Sequence, residues 1–221
     1  MTNNKGLFIT FEGPDGSGKS TIISLVYDKL KQTKYGTKVV LTREPGGKNN
    51  VIAEDIRNIL LNKLDYKISG RAEALLFAAS RAQHVQDFIK PNLDNDKIVL
   101  CDRYIHSSLV YQGYARGLGI KEVWDINNFG INGLLPNITL ILMVSPDAGL
   151  ERIKANELRE FNRLDQEKLS LHQKVYEGYR KIIDENRNKT IVEIDASKTI
   201  QEVFADVYSV IIQKIQEHYG E

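Results

Sequence analysis

The sequence of 221 residues has a single cysteine, almost no excess of charge and no long apolar run. With Cys101 alone, an intrachain disulfide is impossible, which fits a reducing compartment. The formal net charge of +1 argues against a broad basic surface for nucleic acid or membranes. Apolar runs such as residues 140–144 are too short to span a bilayer, and no signal peptide is predicted. The sequence therefore predicts a cytoplasmic protein that binds neither nucleic acid nor a membrane.

Segments with strand-like and helix-like patterns alternate along the whole chain. The predicted strands are 6–12, 37–42, 97–102, 138–144 and 190–195. The predicted helices are 19–31, 51–64, 71–88, 120–131, one that begins at Pro146, 165–184 and 199–220. This alternation predicts one α/β domain over residues 1–221, with a five-stranded parallel sheet and helices on both faces. Ligands of such sheets bind beyond the carboxyl ends of the strands, where this chain places most of its unusual glycines and charges.

A glycine-rich motif joins the first predicted strand to the first helix. Residues 13–20 match the phosphate-binding pattern G-x-x-x-x-G-K-[ST] in full. Its glycines allow backbone N–H groups to point at phosphate oxygens, and the helix start adds the positive end of its dipole. Lys19 is predicted to reach the β- and γ-phosphates, and Ser20 to bind Mg²⁺. The predicted phosphate-binding residues are Gly13, Pro14, Asp15, Gly16, Ser17, Gly18, Lys19, Ser20 and Thr21.

The motif alone does not choose among kinases, GTPases and ATPases. Residues 62–65 read NKLD, a string by which GTPases recognise guanine, but they fall near the end of an early helix rather than after a late strand. The only D-x-x-G string, residues 15–18, lies inside the phosphate-binding motif. We therefore interpret NKLD as coincidental. A nucleotide-dependent switch or assembly ATPase remains the alternative from a different class of function.

Charged and aromatic residues follow the second and third strands and occupy one helix. Arg43 lies in the turn after the second strand, and Asp102 and Arg103 end the third. Arginines there suit phosphate, and the carboxylate suits Mg²⁺, although a solvated arginine or a local ion pair also fits each pattern. Phe77 and Arg81 lie four residues apart, so one helix face offers a nucleotide base an aromatic plane and a set of donors.

The segment after the fourth strand is rich in cations. They are Arg152, Lys154, Arg159 and Arg163. Their spacing predicts a basic lid at about residues 151–164 that closes over a transferring phosphoryl group. A mixed run of charges also suits a solvated helix face, so both interpretations stay open at this point.

Taken in order, these motifs resemble the thymidylate kinase family, P-loop enzymes that phosphorylate dTMP with ATP. The resemblance covers nearly the whole chain and rests on FEGPDGSGKS, TREPGG, EALLFAASRAQH, CDRY with SSLVYQG, VSPDAGLERI and NRLDQE. It implies the P-loop nucleotide kinase fold, transfer from ATP to dTMP with Mg²⁺, and a homodimer. Within the class, a kinase for another pyrimidine monophosphate, dUMP or UMP, is the alternative.

The resemblance also implies roles for the residues that bind the sugar and phosphate of dTMP. Asp15 is expected to hold the 3′-hydroxyl of the deoxyribose. Arg43 and Arg103 are expected to bind the phosphate. Tyr111 is expected beside the 2′ position, where it disfavours a ribose.

The same resemblance assigns the residues around the base. Phe77 is expected to stack on thymine, and Arg81 to donate to its O4. Ser108 and Gln112 are expected to contact the other edge of the base.

The sequence departs from some members of the family in its phosphate-binding motif. Those members carry a basic residue directly after the acid of the motif, where this chain has Gly16. Members that lack it supply the arginine from the lid, and Arg159 is the first expectation for that role here. The predicted catalytic residues are Lys19, Arg103, Arg159 and Arg163, and the predicted metal ligands are Ser20 and Asp102.

Overall fold

The computed structural model describes residues 5–47, 50–62, 67–155, 169–185 and 190–220. Within these residues, five parallel strands form one sheet in the order β2-β3-β1-β4-β5. The strands are β1 (Leu7–Glu12), β2 (Val39–Arg43), β3 (Ile98–Asp102), β4 (Ile138–Met143) and β5 (Ile191–Asp195). The helices are α1 (Lys19–Lys31), α2 (Val51–Leu61), α3 (Gly70–His84), α4 (Lys90–Asp94), α5 (Ile105–Ser108), α6 (Ile120–Ile131), α7 (Pro146–Ala155), α8 (Leu169–Asp184) and α9 (Ile200–Tyr219). The predicted α/β fold with a five-stranded parallel sheet is confirmed.

Helices cover both faces of the sheet because its strands are apolar on both sides. On β1, the side chain of Ile9 packs with residues of α1 and α9, and the side chain of Phe8 packs with residues of α5 and α8 on the other face. All six residues of β1 are buried, as are all six of β4. The two cores hold the central strands rigidly, and therefore also the loops at their carboxyl ends.

The strand order places the phosphate-binding motif at the centre of the sheet. The chain leaves β1 in one direction to form β2 and β3, and returns to its other side to form β4 and β5. Ligands of doubly wound sheets bind in the crevice at such a reversal. In the register of β2 and β3, Arg43 pairs with Asp102, which in turn pairs with Phe11 of β1. The predicted strand ends therefore meet at one edge.

Some helix boundaries differ from those that the sequence predicts. The helix predicted over 71–88 continues through a π-helical segment, Val85–Ile89, into α4. Pro91 lies in the first turn of α4, where its missing N–H is tolerated, so it does not end the helical course. The helix predicted over 51–64 ends at Leu61. No described helix combines the length and apolar character needed to cross a membrane.

One helical region was absent from the prediction altogether. The chain after β3 forms α5 and then a π-helical segment, Leu109–Ala115. Nearly all residues of the Leu109–Ala115 segment are buried. The segment therefore lacks the alternation of apolar and polar faces by which a sequence indicates a helix. Short π-helical segments occur frequently at functional sites, and this one carries Tyr111 and Gln112.

Candidate active site

A cleft of about 1130 Å³ opens at the carboxyl edge of the sheet. Its walls come from the phosphate-binding loop, the ends of β2 and β3, one face of α3, the Leu109–Ala115 segment, α7 and the loop after β5. The sequence-predicted residues that line it are Asp15, Gly16, Ser17, Gly18, Lys19, Ser20, Thr21, Arg43, Phe77, Arg81, Asp102, Arg103, Ser108, Tyr111, Gln112 and Arg152. Arg159 and Arg163 lie outside the described residues.

The phosphate-binding loop needs its glycines for conformation and for space. Gly16 has a φ of +77°, in the left-handed region that other residues rarely adopt. A Cβ atom added there would lie 2.1 Å from the carbonyl oxygen of Gly149 in α7. The base of α7 therefore packs directly on the loop, and no side chain fits at position 16.

Lys19 lies at the start of α1 with its ammonium group folded over the loop. Its Nζ donates to the carbonyl oxygens of Gly13 at 2.9 Å and Pro14 at 2.8 Å, and to the Ser17 hydroxyl. Burial, together with the nearby positive charge of Arg103, lowers the pKa of Lys19 to about 7. A bound phosphate would supply the negative charge that this ammonium group needs.

Ser20 and Asp102 form an oxygen-lined site next to the loop. The Ser20 hydroxyl donates to Oδ2 of Asp102 at 2.7 Å. The other carboxylate oxygen, Oδ1, is buried and has no hydrogen-bond partner among the described residues. A buried acceptor normally has a partner, and Mg²⁺ prefers carboxylate and hydroxyl oxygens. This pair of residues therefore fits the predicted Mg²⁺ site.

Asp15, Arg103 and Tyr111 form a cluster on the acceptor side of the loop. Arg103 donates to Oδ1 of Asp15 at 2.6 Å, and the Tyr111 hydroxyl donates to Oδ2 at 2.8 Å. Burial raises the pKa of the Tyr111 phenol, so this hydroxyl keeps the proton that it donates. Arg103 also has a positive φ of 69°, a strained conformation that is common at functional sites. The cluster fixes the direction in which the guanidinium group faces the cleft.

Sequence reasoning missed Glu12, the last residue of β1. Its buried carboxylate accepts hydrogen bonds from the backbone N–H groups of Tyr104 and Ser107. The hydroxyl groups of Ser107 and Tyr179 also donate to it. Glu12 thus ties the strand before the phosphate-binding loop to the start of α5 and to α8. In the sequence, the only indication of a role for Glu12 is its position directly before the phosphate-binding loop.

Arg81 is almost completely buried in the wall of the cleft. Its Nε atom donates to Glu44 at 2.6 Å, and NH2 donates to the carbonyl oxygen of Tyr104 at 2.9 Å. NH1 donates to the hydroxyl of Ser108 and to the side chain of Asn127 in α6. Glu44 also accepts from Nδ1 of His84, which holds the carboxylate in place. Arg81 is therefore a rigid donor at the cleft wall, as base recognition requires.

Phe77 lies one helical turn before Arg81 and lines the same wall. The residue is 9% exposed, and its side chain packs with Leu60 and Leu61 of α2. The ring is thus fixed from behind by α2 while part of it remains open to the cleft, an arrangement that suits stacking on a base.

Arg43 is the most exposed of the predicted phosphate-binding side chains on the acceptor side. It donates to Glu54 of α2 at 3.2 Å, and its side chain is 47% exposed. Glu54 also accepts from the backbone N–H of Gly47 at 2.9 Å, so it organises the turn after β2. Arg43 lies at the rim of the cleft rather than in its wall.

The far end of the cleft is formed by Arg152, one of the cations predicted for the lid, and by residues after β5 that the sequence prediction did not include. Arg152 of α7 donates to the carbonyl oxygen of Ala196 at 2.8 Å. Lys198 and Thr199 follow in the loop after β5 and line the same end. This loop follows the carboxyl end of β5, the position at which ligands of parallel sheets bind.

A phosphate-binding loop with a buried lysine and a wall with an aromatic ring, an arginine and an amide line one cleft. This fold and site define a P-loop nucleotide kinase, an enzyme that acts on nucleoside monophosphates. The sequence model of the family described as thymidylate kinase matches residues 11–207. The chain belongs to the thymidylate kinase family.

Individual relatives agree with this assignment. The chain is 50% identical over 212 residues to the thymidylate kinase of Geobacillus sp. (strain WCH70), covering 96% of this chain and 99% of the relative. It is 50% identical over 205 residues to that of Finegoldia magna, covering 93% and 97%. The crystal structure of thymidylate kinase from Ehrlichia chaffeensis superposes with a TM-score of 0.71 at 32% identity, covering 93% of this chain and 98% of that one.

Proposed function

We propose that this protein transfers the γ-phosphoryl group of ATP to dTMP, yielding ADP and dTDP, with Mg²⁺ as cofactor. The observation that carries the proposal is the wall formed by Phe77, Arg81 and Gln112, which lines the same cleft as the phosphate-binding loop. An aromatic plane, fixed donors and a side-chain amide in one wall match the face and the polar edge of a pyrimidine base. The names of the relatives support thymine as that base.

The size of the cleft supports two substrates. A volume of about 1130 Å³ exceeds the range of roughly 300–1,000 Å³ that is usual for one drug-sized ligand. We place ATP over the loop with its base towards Arg152 and Thr199, and dTMP between the loop and α3. Phosphoryl transfer needs the two phosphates in line, and the loop lies between these two ends.

Catalysis in this proposal is mainly positioning and stabilisation of charge. Lys19 and the backbone N–H groups of residues 13–20 would bind the β- and γ-phosphates. Arg103, held by Asp15, and Arg43 would orient the phosphate of dTMP. Arg159 of the proposed lid would contact the transferring group, with Arg163 as the second candidate, and closure would exclude water that competes with dTMP. Ser20 and Asp102 would hold Mg²⁺, which when bound neutralises charge on the ATP phosphates.

The choice of acceptor is tested by measuring ADP release with dTMP, dUMP, UMP and dGMP. We expect the highest kcat/KM with dTMP, a lower value with dUMP, and the lowest values with UMP and dGMP. The ring of Tyr111 beside the sugar accounts for the loss with UMP, and the size of a purine for the loss with dGMP. A best rate with UMP would exclude the thymidylate assignment, and ATP hydrolysis that no acceptor stimulates would favour a switch or an ATPase.

Binding of MgATP is expected to be coupled to proton uptake. Because the pKa of Lys19 is about 7, a large part of the Lys19 population is neutral at pH 7.5. Phosphate oxygens favour the ammonium form and raise this pKa, so binding at pH 7.5 takes up roughly half to one proton per site. Calorimetry in two buffers of different ionisation enthalpy measures the uptake.

The control for proton uptake is a second lysine of the same cleft. A hydrogen bond to Asp206 raises the pKa of Lys198, so this group is already charged at pH 7.5. Lys198→Met should therefore keep the uptake, whereas Lys19→Met should abolish it. Equal uptake in the wild-type protein and in Lys19→Met would show that another group is protonated.

We also propose that the protein acts as a homodimer in the cytoplasm, as the family resemblance implies. Exposed apolar side chains on two neighbouring helices support the dimer. Leu75 of α3 is 57% exposed, and Phe129 of α6 is 91% exposed. Sedimentation of the purified protein tests the assembly state.

A further inference from the structure

A buried carboxylate lies directly behind one of the residues that face the base. Glu73 begins the face of α3 that continues with Phe77 and Arg81 at intervals of four residues. It is 1% exposed and is not among the residues that line the cleft. Nε2 of Gln112, which does line the cleft, donates to Oε1 of Glu73 at 3.0 Å. Glu73 thus contacts Gln112 from the protein interior, behind the wall of the cleft.

Arg116 holds the other side of the same carboxylate. Its Nε atom donates to Oε1 of Glu73 at 2.7 Å, and NH2 donates to Oε2 at 3.2 Å. Two parallel bonds of this kind are the usual geometry of an arginine with an ionised carboxylate. They fix Glu73 in one position and keep it as an acceptor of hydrogen bonds.

The charge of Glu73 decides which end of the Gln112 amide faces the cleft. An ionised carboxylate has no proton to donate, so only the NH₂ group of Gln112 can turn towards it. The amide oxygen Oε1 must then point the other way, and it receives no hydrogen bond from the part of the chain that the structure describes. In this position Oε1 can accept a hydrogen bond from N3–H of thymine or uracil. Cytosine has an unprotonated N3 and would place two acceptors against each other.

We propose that Glu73 is a positioning residue that sets the direction of the Gln112 amide and thereby selects pyrimidines that carry a proton on N3. Glu73 touches no substrate in this arrangement and acts through Gln112. The inference rests on the proposed function, because it assumes that the base of the acceptor lies against Gln112. Beyond the proposed function, the inference explains how the wall distinguishes thymine and uracil from cytosine.

The test compares kcat/KM for dTMP, dUMP and dCMP in the wild-type protein and in Glu73→Gln. Glutamine has the size of glutamate but can donate as well as accept, so Gln112 becomes free to present its NH₂ group to the cleft. The preference for dTMP over dCMP should fall about tenfold, the usual cost of one misdirected hydrogen bond. The preference for dTMP over dUMP should stay within about twofold, because both bases carry N3–H. A general loosening of the pocket would instead lower both preferences.

A variant in which the side chains of residues 73 and 112 are exchanged provides a second, independent test. In Glu73→Gln/Gln112→Glu, the new amide at position 73 donates to the new carboxylate at position 112. That carboxylate again presents an acceptor to the cleft, so the preference for dTMP over dCMP should return towards the wild-type value. An unchanged preference in Glu73→Gln, or no recovery in the exchanged protein after a loss in the single variant, overturns the proposal.

Glu54→Gln is the matched control, since it makes the same substitution at a carboxylate that holds Arg43 at the rim of the cleft. It should change kcat/KM for dTMP and dCMP by the same factor. Thermal melting of each variant identifies any loss that comes from unfolding. If the wild-type protein uses dTMP poorly, the proposed function fails. If it prefers dTMP and Glu73→Gln keeps the preference over dCMP, only the role of Glu73 fails.

Discussion

Replacing Lys19 with methionine is expected to lower kcat by about 10³-fold, the range seen when one fixed donor to a developing charge is removed. Methionine keeps the buried length of the side chain but cannot donate to the β- and γ-phosphates. The loss should appear in kcat under saturating ATP and dTMP, because the interaction strengthens as charge develops on the transferred group. Steady-state kinetics with the Lys198→Met variant as control measures it.

Stability separates this catalytic loss from a loss of structure. The pKa of Lys19 is about 7 in the folded protein, against an ordinary value of 10.5. Between these values the unfolded chain binds more protons, so this lysine makes the free energy of unfolding rise with pH from about 7 to about 10. Lys19→Met should lack that dependence and melt at or above the wild-type temperature near pH 7. A low kcat accompanied by a lower melting temperature would instead indicate damage to the fold.

Arg159→Ala is expected to lower kcat by about 10³-fold or more, with a smaller change in KM for dTMP, as for other arginines that contact a transferring phosphoryl group. The residue lies outside the described part of the chain, and its role follows from the family resemblance together with Gly16. Since no side chain fits at position 16, the loop of this protein cannot supply a cation from that position. This is the reason for proposing that a cation of the lid takes that role.

Three further measurements test whether Arg159 contacts the transferring group. Lys154→Ala removes an exposed cation of α7 and should leave kcat within about threefold, as most exposed charges contribute little. Guanidinium ion in solution should partly restore kcat in Arg159→Ala, because it returns the missing charge. A larger loss of kcat in Arg163→Ala than in Arg159→Ala would assign the contact with the transferring group to Arg163. A rise only in the KM for dTMP in Arg159→Ala would show that Arg159 binds the acceptor.

The elements and the cleft-facing residues could be predicted because their signals are local. A parallel sheet brings its strand ends to one edge, so Lys19, Arg43 and Asp102 were identified from their positions after predicted strands. The spacing of Phe77 and Arg81 needed only the period of a helix. These residues all line one cleft in the structure.

The contacts that hold those residues could not be predicted, because they join distant parts of the chain. Tyr179 donates to Glu12 across 167 positions, and Arg81 reaches Asn127 across 46. Each of these partners is a polar residue whose burial depends on tertiary packing rather than on any local pattern. For the same reason, the helical segment that carries Gln112 showed no period: its side chains pack against neighbours on almost every side. The residues that line the cleft could therefore be predicted from the sequence, whereas the residues that hold them in place could not.

The contact between Gly16 and Gly149 also constrains how the family can vary. A Cβ atom on Gly149 would lie 2.7 Å from the carbonyl oxygen of Asp15, so each glycine is required by the backbone that faces it. An arginine cannot move from the lid to the loop of this protein by one substitution, because α7 must first withdraw from the loop. A cation at position 16 of this protein thus requires a change in backbone packing and not only a change of side chain.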